Sequence, residues 1–349
     1  MKRERKHINT LLIRCPNWVG DIVMAIPALD CIRNNFPEAK IIGIVKNRAK
    51  GILRDGPWFD GFIDSNDKSW GGFWHMTKQI RECKADMAVL LPNSVRSLLS
   101  VWLGGVKDIY GYRRNLRGMF LRGGPKPVRN NHGIVPIPMT EYYLGICRWL
   151  GLSVPDKVQP KLYIGQQVLK RAESLFQRHG IRKNDLVIGL NPGASFGESK
   201  CWPPEYFAEL AELCEKELDA KVLLLAGPGE ERIVQAILQK SRAKIINTHD
   251  EVVDLELLKP LIQRCSLLIT NDTGPRHYAV AFDVPVVVIM GPTDPRYTAS
   301  NLDRTVVIRK DLYCSPCHKK TCPREHQCMT GITAAEVFTA AKNLLKENK

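Results

Sequence analysis

Long apolar runs are missing from this chain of 349 residues: nothing approaches the ~18 uninterrupted apolar residues that a membrane-spanning helix needs. The basic start, Met1 to His7, leads into the strand-like Ile8–Cys15 rather than an apolar signal core with a small-residue cleavage site, so the chain reads as cytoplasmic. Neither a GxxxxGK[ST] loop nor a GxGxxG fingerprint occurs, which removes the P-loop NTPases and the nicotinamide dehydrogenases. Zinc-finger, helix-turn-helix and RNP signatures are absent as well, and with them the case for a nucleic-acid partner. The loops that end the apolar strands hold no acidic cluster, so no metal ligands and no cofactor are assigned.

What is present is enough for two α/β domains. Apolar residues make up 44% of the chain and charged residues 25%. The net charge of +15 is uneven: residues 1–165 hold 26 Lys and Arg against 13 Asp and Glu, whereas 166–349 hold 25 against 23. That asymmetry points the first half toward something anionic, such as an acidic substrate or a membrane surface, or is simply a charge for solubility.

Strand-length apolar runs alternate with helical patterns, the pattern of parallel α/β architecture. Strands are expected at Thr10–Arg14, Lys40–Val45 and Asp86–Leu91, with helices over 21–34 and 140–150 and a long Gly/Pro-rich loop over 123–138. A boundary near Ile164 gives domains of 1–164 and 165–349. In the second, strands are expected near 186–190, 221–226, 244–247, 266–270 and 285–290. Helices begin at Pro203-Pro204, Glu230, Leu255, Gly274 and Thr333, and the last helix is free to return to the first domain.

Four loops at strand carboxyl ends carry the chemistry, since ligands of parallel sheets bind there. Cys15-Pro16-Asn17-Trp18-Val19-Gly20-Asp21 puts a carboxylate at a helix start, as a cap or as a general base. Asn191 to Pro203 offers Gly193, Ala194 and Ser195 for close backbone approach to a phosphate, with Lys200 as a point charge. Gly227-Pro228-Gly229-Glu230-Glu231 offers carboxylates to ribose hydroxyls, or merely complements a helix dipole. Asn271-Asp272-Thr273-Gly274-Pro275-Arg276-His277 combines backbone N–H groups, a hydroxyl, Arg276 and His277 at another helix start, an anion site or a well-capped helix.

Taken in order, Pro16-Asn17-Trp18-Val19-Gly20-Asp21, Asn191-Pro192-Gly193-Ala194 with Lys200 and Trp202, and Thr270-Asn271-Asp272-Thr273-Gly274 with His277 resemble glycosyltransferase family nine, the ADP-heptose:lipopolysaccharide heptosyltransferases. Trp18 before Val-Gly-Asp is closer to the heptosyltransferase II branch than to I. The resemblance implies a GT-B fold, two Rossmann-like domains facing across a cleft, and metal-independent, inverting transfer of L-glycero-D-manno-heptose from ADP-heptose to the lipopolysaccharide inner core. It implies Asp21 as base, Lys200 on phosphate, Asp272, Thr273 and Gly274 in the donor loop, and Glu230 or Glu231 on the nucleoside. Pro275-Arg276 departs from the apolar pair that relatives often carry.

The implied acceptor, Kdo-lipid A core, is anionic and lies at the inner face of the cytoplasmic membrane. Arg96, Arg113, Arg114 and Arg117 belong to a stretch, 96–129, with eight basic residues and one acid, Asp108, and are expected to bind it. An epimerase of the same fold, or transfer of another sugar to a surface glycan, remains as an alternative. Cys314, Cys317, Cys322 and Cys328 read first as free thiols packed in a C-terminal lobe, with a zinc set and then disulfides as alternatives.

Overall fold

A computed structural model describes residues 7–347 except 68, 132, 157 and 249–252. The chain divides into two compact units, one of residues 1–161 with 296–300, the other of 162–295 with 301–349.

In the first unit the strands are β1 (Thr10–Arg14), β2 (Lys40–Val45), β3 (Gly61–Asp64), β4 (Met87–Leu90) and β5 (Asp108–Gly111), followed by a small antiparallel pair, β6 (Arg129–Asn130) and β7 (Gly133–Ile134). The helices are α1 (Val19–Asn35), α2 (Lys50–Leu53), α3 (Trp70–Glu82), α4 (Val95–Leu103) and α5 (Met139–Trp149). The five longer strands form a parallel sheet in the order β3-β2-β1-β4-β5. Its central strands are almost wholly buried, which is why they read as continuous apolar runs rather than as alternation. Phe73, Met76 and Ile80 of α3 and Leu98 and Val101 of α4 cover one face through Leu12, Ile44 and Leu90, and α1 packs with α5.

The second unit repeats the plan. Its strands are β8 (Val187–Asn191), β9 (Lys221–Leu224), β10 (Ile245–Asn247), β11 (Leu267–Asn271), β12 (Val286–Ile289) and β13 (Thr305–Ile308), in the parallel order β10-β9-β8-β11-β12-β13. The helices are α6 (Gln166–Arg178), α7 (Pro204–Leu218), α8 (Glu231–Lys240), α9 (Leu258–Arg264), α10 (Gly274–Ala281), α11 (Gln327–Thr330) and α12 (Ala334–Glu347). The C-terminal helix α12 lies in this unit, against α7 and the strands β11–β13. Trp202 closes the core there: fully buried, it donates from Nε1 to the Ile332 carbonyl at 2.8 Å and meets Phe207 edge-on. Among the described residues no helix is long and apolar enough to cross a membrane.

In each sheet the strand order reverses at one place, between β1 and β4 and between β8 and β11. Loops leaving adjacent strands there diverge to opposite faces and open a crevice at the carboxyl edge.

One expected surface residue is not on the surface. Arg117 is 1% exposed; its Nε donates to the Tyr112 carbonyl at 3.1 Å, Nη1 to Pro92 at 2.6 Å, and Nη2 to Asn93 Oδ1 at 3.1 Å. Burial pushes its guanidinium down to about 10. Arg117 therefore ties the 112–117 turn to the loop after β4, and it is withdrawn from the set expected to meet an acceptor. Arg117→Ala is expected to destabilise the first unit by about 2–4 kcal/mol, because it strands buried carbonyls. The exposed neighbour Arg113→Ala should stay within about 0.5 kcal/mol. Urea midpoints compare the two, and equal midpoints would return Arg117 to the surface.

Candidate functional site

The loops released by β8, β11 and β12 meet on one carboxylate. Asp272, the first residue after β11, accepts at Oδ2 from Lys200 Nζ at 2.7 Å and from Thr293 Oγ1 at 2.7 Å, and at Oδ1 from Arg276 Nη1 at 2.9 Å. Lys200 also donates to the main-chain carbonyl of Asp272 at 2.7 Å. Burial alone would push this carboxyl up; Lys200 first, then Arg276, outweigh it and hold the group well below the ordinary carboxylate range. Two cations on one anion leave a surplus of one positive charge at the carboxyl edge of the sheet.

The same edge is braced by amides. Asn271 donates from Nδ2 to the Pro192 carbonyl at 2.6 Å and accepts from the Trp202 N–H at 3.1 Å, so one side chain holds both ends of the 192–202 loop. Asn191 Nδ2 reaches Thr273 Oγ1 at 3.5 Å. The middle of that loop is a single turn, Glu198–Lys200, fixed from elsewhere in the unit. Ser199 donates its hydroxyl to the Lys319 carbonyl and its N–H to the Lys320 carbonyl, and its own carbonyl lies 2.7 Å from His326 Nε2. Gly197, at φ +154°, passes so close to Lys320 that any side chain would strike its carbonyl at 2.4 Å.

Glu230 completes the cluster. Its carboxylate accepts from the Gly227 N–H at 2.8 Å and lies over Gly193, where an added Cβ would fall 1.7 Å from Oε1. The absence of a side chain at 193 is what lets the two loops meet. Burial pushes the Glu230 carboxyl up. Glu231 is exposed and turns back to the Gly229 N–H at 3.0 Å, so of the two glutamates only Glu230 faces the phosphate-type loop.

Other expected residues fall into place less evenly. Thr273 is the residue before α10, and Gly274 and Pro275 begin it; Pro275 has no N–H, so this helix start offers one anion donor fewer than most. His277 is buried, and burial followed by Arg276 pushes its imidazole down to about 3. It is therefore neutral at physiological pH, and any part it takes at this helix start is as a hydrogen-bonding group rather than a charge. Ala194 is half-buried and Ser195 exposed. Thr293, from the Gly291-Pro292-Thr293-Asp294 loop after β12, escaped the sequence reading although it follows the same signal, a buried apolar strand ending in small polar residues.

In the first unit Asp21 lies in the first turn of α1, three residues past the flanking Trp18, directly after β1 at the switch point. Tyr143 of α5 is buried nearby; burial, and after it the charge of Asp21, push its phenol well above its ordinary value. Arg96 is exposed and stands over the rings of Phe73 at 5.6 Å and Trp70 at 6.0 Å. Arg113 is exposed, and Arg114 is half-buried beside the Tyr142 hydroxyl.

All eleven cysteines are free thiols, which removes the disulfide alternative. Cys314, Cys317, Cys322 and Cys328 line a cavity of about 500 Å³ together with Ser199 and His326. Burial, then its three cysteine neighbours, push the Cys328 thiol up to about 11. No three His, Cys, Asp or Glu side chains among the described residues are grouped to hold a metal ion.

Two parallel α/β domains with their polar residues at sheet switch points are the architecture of the GT-B fold. The family model "Glycosyltransferase family 9 (heptosyltransferase)" matches residues 73–327, and the chain belongs to that family. It is 28% identical over 345 residues to lipooligosaccharide heptosyltransferase 2 of Campylobacter jejuni, covering 97% of this chain and 99% of the relative. It is 27% identical to lipopolysaccharide heptosyltransferase 2 of Salmonella typhimurium, with 97% and 99% covered. In fold it is similar to a family 9 glycosyl transferase from Veillonella parvula, at TM-score 0.87 with 23% identity and 99% of both chains covered. The E. coli heptosyltransferase II superposes at TM-score 0.77, with 24% identity and 97% and 99% covered.

The raised Glu230 carboxyl gives a signed expectation. A carboxyl whose folded pKa lies above its unfolded value favours folding below the unfolded value and loses that contribution as pH rises through the folded one. Glu230→Gln should therefore be more stable than the parent at neutral pH, with the gain vanishing in acid. If Glu230 holds the nucleotide, the same variant binds ADP roughly 5- to 30-fold more weakly, the loss of a charged hydrogen bond. Thermal melts against pH and ADP titration measure both; unchanged ADP affinity would remove Glu230 from the site.

Proposed function

We propose that this protein transfers L-glycero-D-manno-heptose from ADP-heptose to a hydroxyl of the lipopolysaccharide inner core, with inversion at the anomeric carbon. One observation carries the reading: Asp21 and the Lys200–Asp272–Arg276 group each stand at the switch point of their own parallel sheet. The relatives named heptosyltransferase 2 supply the sugar and the class of acceptor.

In this mechanism residues 1–164 take the acceptor and residues 165–349 the donor. Asp21 removes the proton from the acceptor hydroxyl as its oxygen attacks the anomeric carbon. The bond to the diphosphate oxygen breaks on the opposite face of the sugar, so a single displacement inverts the centre. Charge growing on the departing ADP is met by Lys200, by the surplus charge shared with Arg276, and by backbone N–H groups at Gly193-Ala194-Ser195 and Thr273-Gly274. Asp272, with both oxygens engaged inside the protein, positions those cations rather than touching the donor. Glu230 takes ribose hydroxyls, and neutral His277 offers a hydrogen bond without charge. Arg96, Arg113 and Arg114 meet the carboxylates and phosphates of Kdo-lipid A at the inner face of the cytoplasmic membrane, where the enzyme acts peripherally. No step is assigned to a metal or cofactor.

If Asp21 is the base, Asp21→Asn lowers turnover roughly 10²- to 10⁴-fold and leaves ADP-heptose affinity nearly unchanged. Transfer to heptose-bearing core acceptor, read by mass spectrometry, measures it, and near-parental turnover would exclude Asp21.

Lys200→Ala should weaken ADP-heptose binding and slow transfer together, because it removes one of the two cations on Asp272. Chelator should leave the parent enzyme active. Strict dependence on added Mg²⁺ would overturn the assignment of leaving-group charge to Lys200 and the helix start.

A further inference from the structure

The first unit spends stability to hold apolar side chains in water. Leu116 is 93% exposed and Met119 81%, on the turn that follows β5. Asn115 and Leu116 both sit in the left-handed region, at φ 55° and 59°. Asn enters that region easily; a leucine does so at a cost, and only when its surroundings over-determine it. The surroundings do. Asn115 Nδ2 donates to the Asn93 carbonyl at 3.1 Å, and buried Arg117 nails the base of the turn with its three bonds to Tyr112, Pro92 and Asn93. The leucine is thus displayed by a braced turn, not by a loose one.

A second display lies near the same end of the sheet. Trp70, at the start of α3, is 77% exposed, and Arg96, one residue into α4, stands over its ring at 6.0 Å. Asn93, which anchors the Leu116 turn, lies two residues before α4 in the same chain segment. Near both displays basic residues predominate, and Asp67, three residues before Trp70, is paired with Arg14 at 3.2 Å. Arg96, Arg113, Lys126 and Arg129 are exposed, and the one acid of the stretch 96–129, Asp108, lies 3.7 Å from Arg122. Exposed Trp and Leu interleaved with Arg is the composition of a surface that seats itself at a membrane interface, the apolar groups entering the acyl boundary and the cations meeting anionic headgroups. A protein partner would need acidic and apolar groups in matching relief; an anionic bilayer supplies both over its whole area.

We infer that Leu116, Met119 and Trp70, ringed by Arg96 and Arg113, form a docking surface for an anionic lipid bilayer. The inference rests on the proposed lipid-linked acceptor only for its purpose, since docking would bring the carboxyl edge of this sheet to the plane where such an acceptor lies. Binding itself needs neither heptose nor acceptor.

The test is co-sedimentation of the full chain with vesicles of phosphatidylcholine alone and of an equimolar mixture with phosphatidylglycerol. The parent protein is expected to bind the mixed vesicles, less so as salt rises, and the neutral vesicles weakly. Leu116→Asn with Met119→Gln should lower partitioning onto mixed vesicles roughly 10-fold or more; asparagine keeps the left-handed turn. Arg113→Gln should lower it roughly fivefold on mixed vesicles and leave neutral vesicles unchanged. Should the double variant fail to fold, Trp70→Gln, on a separate element, carries the same expectation. No binding of the parent to mixed vesicles, or parental binding by the apolar variants, overturns the inference. So does a parent dimer that the double variant dissociates while vesicle binding persists, because the surface then serves a second copy. Transfer to a delipidated core acceptor, run on the same double variant, should match the parent; loss of transfer by the parent itself would sink the heptosyl reading and leave the docking result standing.

Discussion

The second unit is organised around a carboxylate whose two oxygens are both engaged inside the protein. Asp272 accepts from Lys200, Arg276 and Thr293, and its main-chain carbonyl takes Lys200 again. Three loops from three adjacent strands, β8, β11 and β12, therefore converge on it, and moving any of them strips the buried carboxylate of a hydrogen bond or a charge partner. Such a group costs several kcal/mol when desolvated alone, so the ion cluster is stable only as a whole. Its chemical consequence is orientation. An isolated lysine on a Gly-rich loop would wander; Lys200 is fixed at two points and leans on the Phe196 ring at 5.3 Å. Preorganised charge of this kind needs no rearrangement when negative charge develops beside it.

How far this could be read from residue order depended on where each element sits in its sheet. The central strands β1, β4, β8, β11 and β12 are covered on both faces and stand out as unbroken apolar runs, so their bounds were legible to within a residue or two. Of the four edge strands β10 was seen, and β3, β5 and β13 were not. Each of these three has a full partner strand on one side only, although Tyr110 of β5 also bridges Gly123, and each is half-buried, as in the pattern of Asp108–Gly111; a four-residue strand with mixed exposure has no periodicity to separate it from a loop. Helix α3 was hidden for another reason: Trp70, Gly71, Gly72 and Trp74 blur its apolar face, which rests on Phe73, Met76 and Ile80.

The candidate site divides the same way. The end of a buried apolar run marks a carboxyl edge, and that signal located Asp21, Gly193, Gly227 and Asp272 without any structure. Pairings across 72 residues, such as Lys200 with Asp272, leave no trace in local order. Neither does the ionisation of His277, which is decided by burial beside Arg276. Arg117 is the sharpest case. Composition counted it among eight cations of a basic stretch, yet its partners are two backbone carbonyls and an asparagine, groups that every sequence has and no sequence displays. A basic stretch is therefore an upper bound on outward charge, and the remainder holds the turn that carries Leu116.

The Cys-rich segment shows why a site can depend on residues far from it in the chain. From residue 309 to 327 no side chain is buried, so this segment has no core of its own to order it. It is hung instead by main-chain bonds, His318 N–H to the Pro292 carbonyl and the Lys319 and Lys320 carbonyls to Ser199, with His326 against Ser199 from the other side. Those bonds reach the residue before Lys200 and the residue before Thr293, both donors to Asp272. The 192–203 loop is rich in small residues that let a ligand approach closely, and small residues alone cannot hold a single conformation against their backbone entropy. Order at Lys200 is thus supplied from outside the loop, by Asp272 at the ammonium and by the Cys-rich segment at the backbone, and the two supports meet on the same turn.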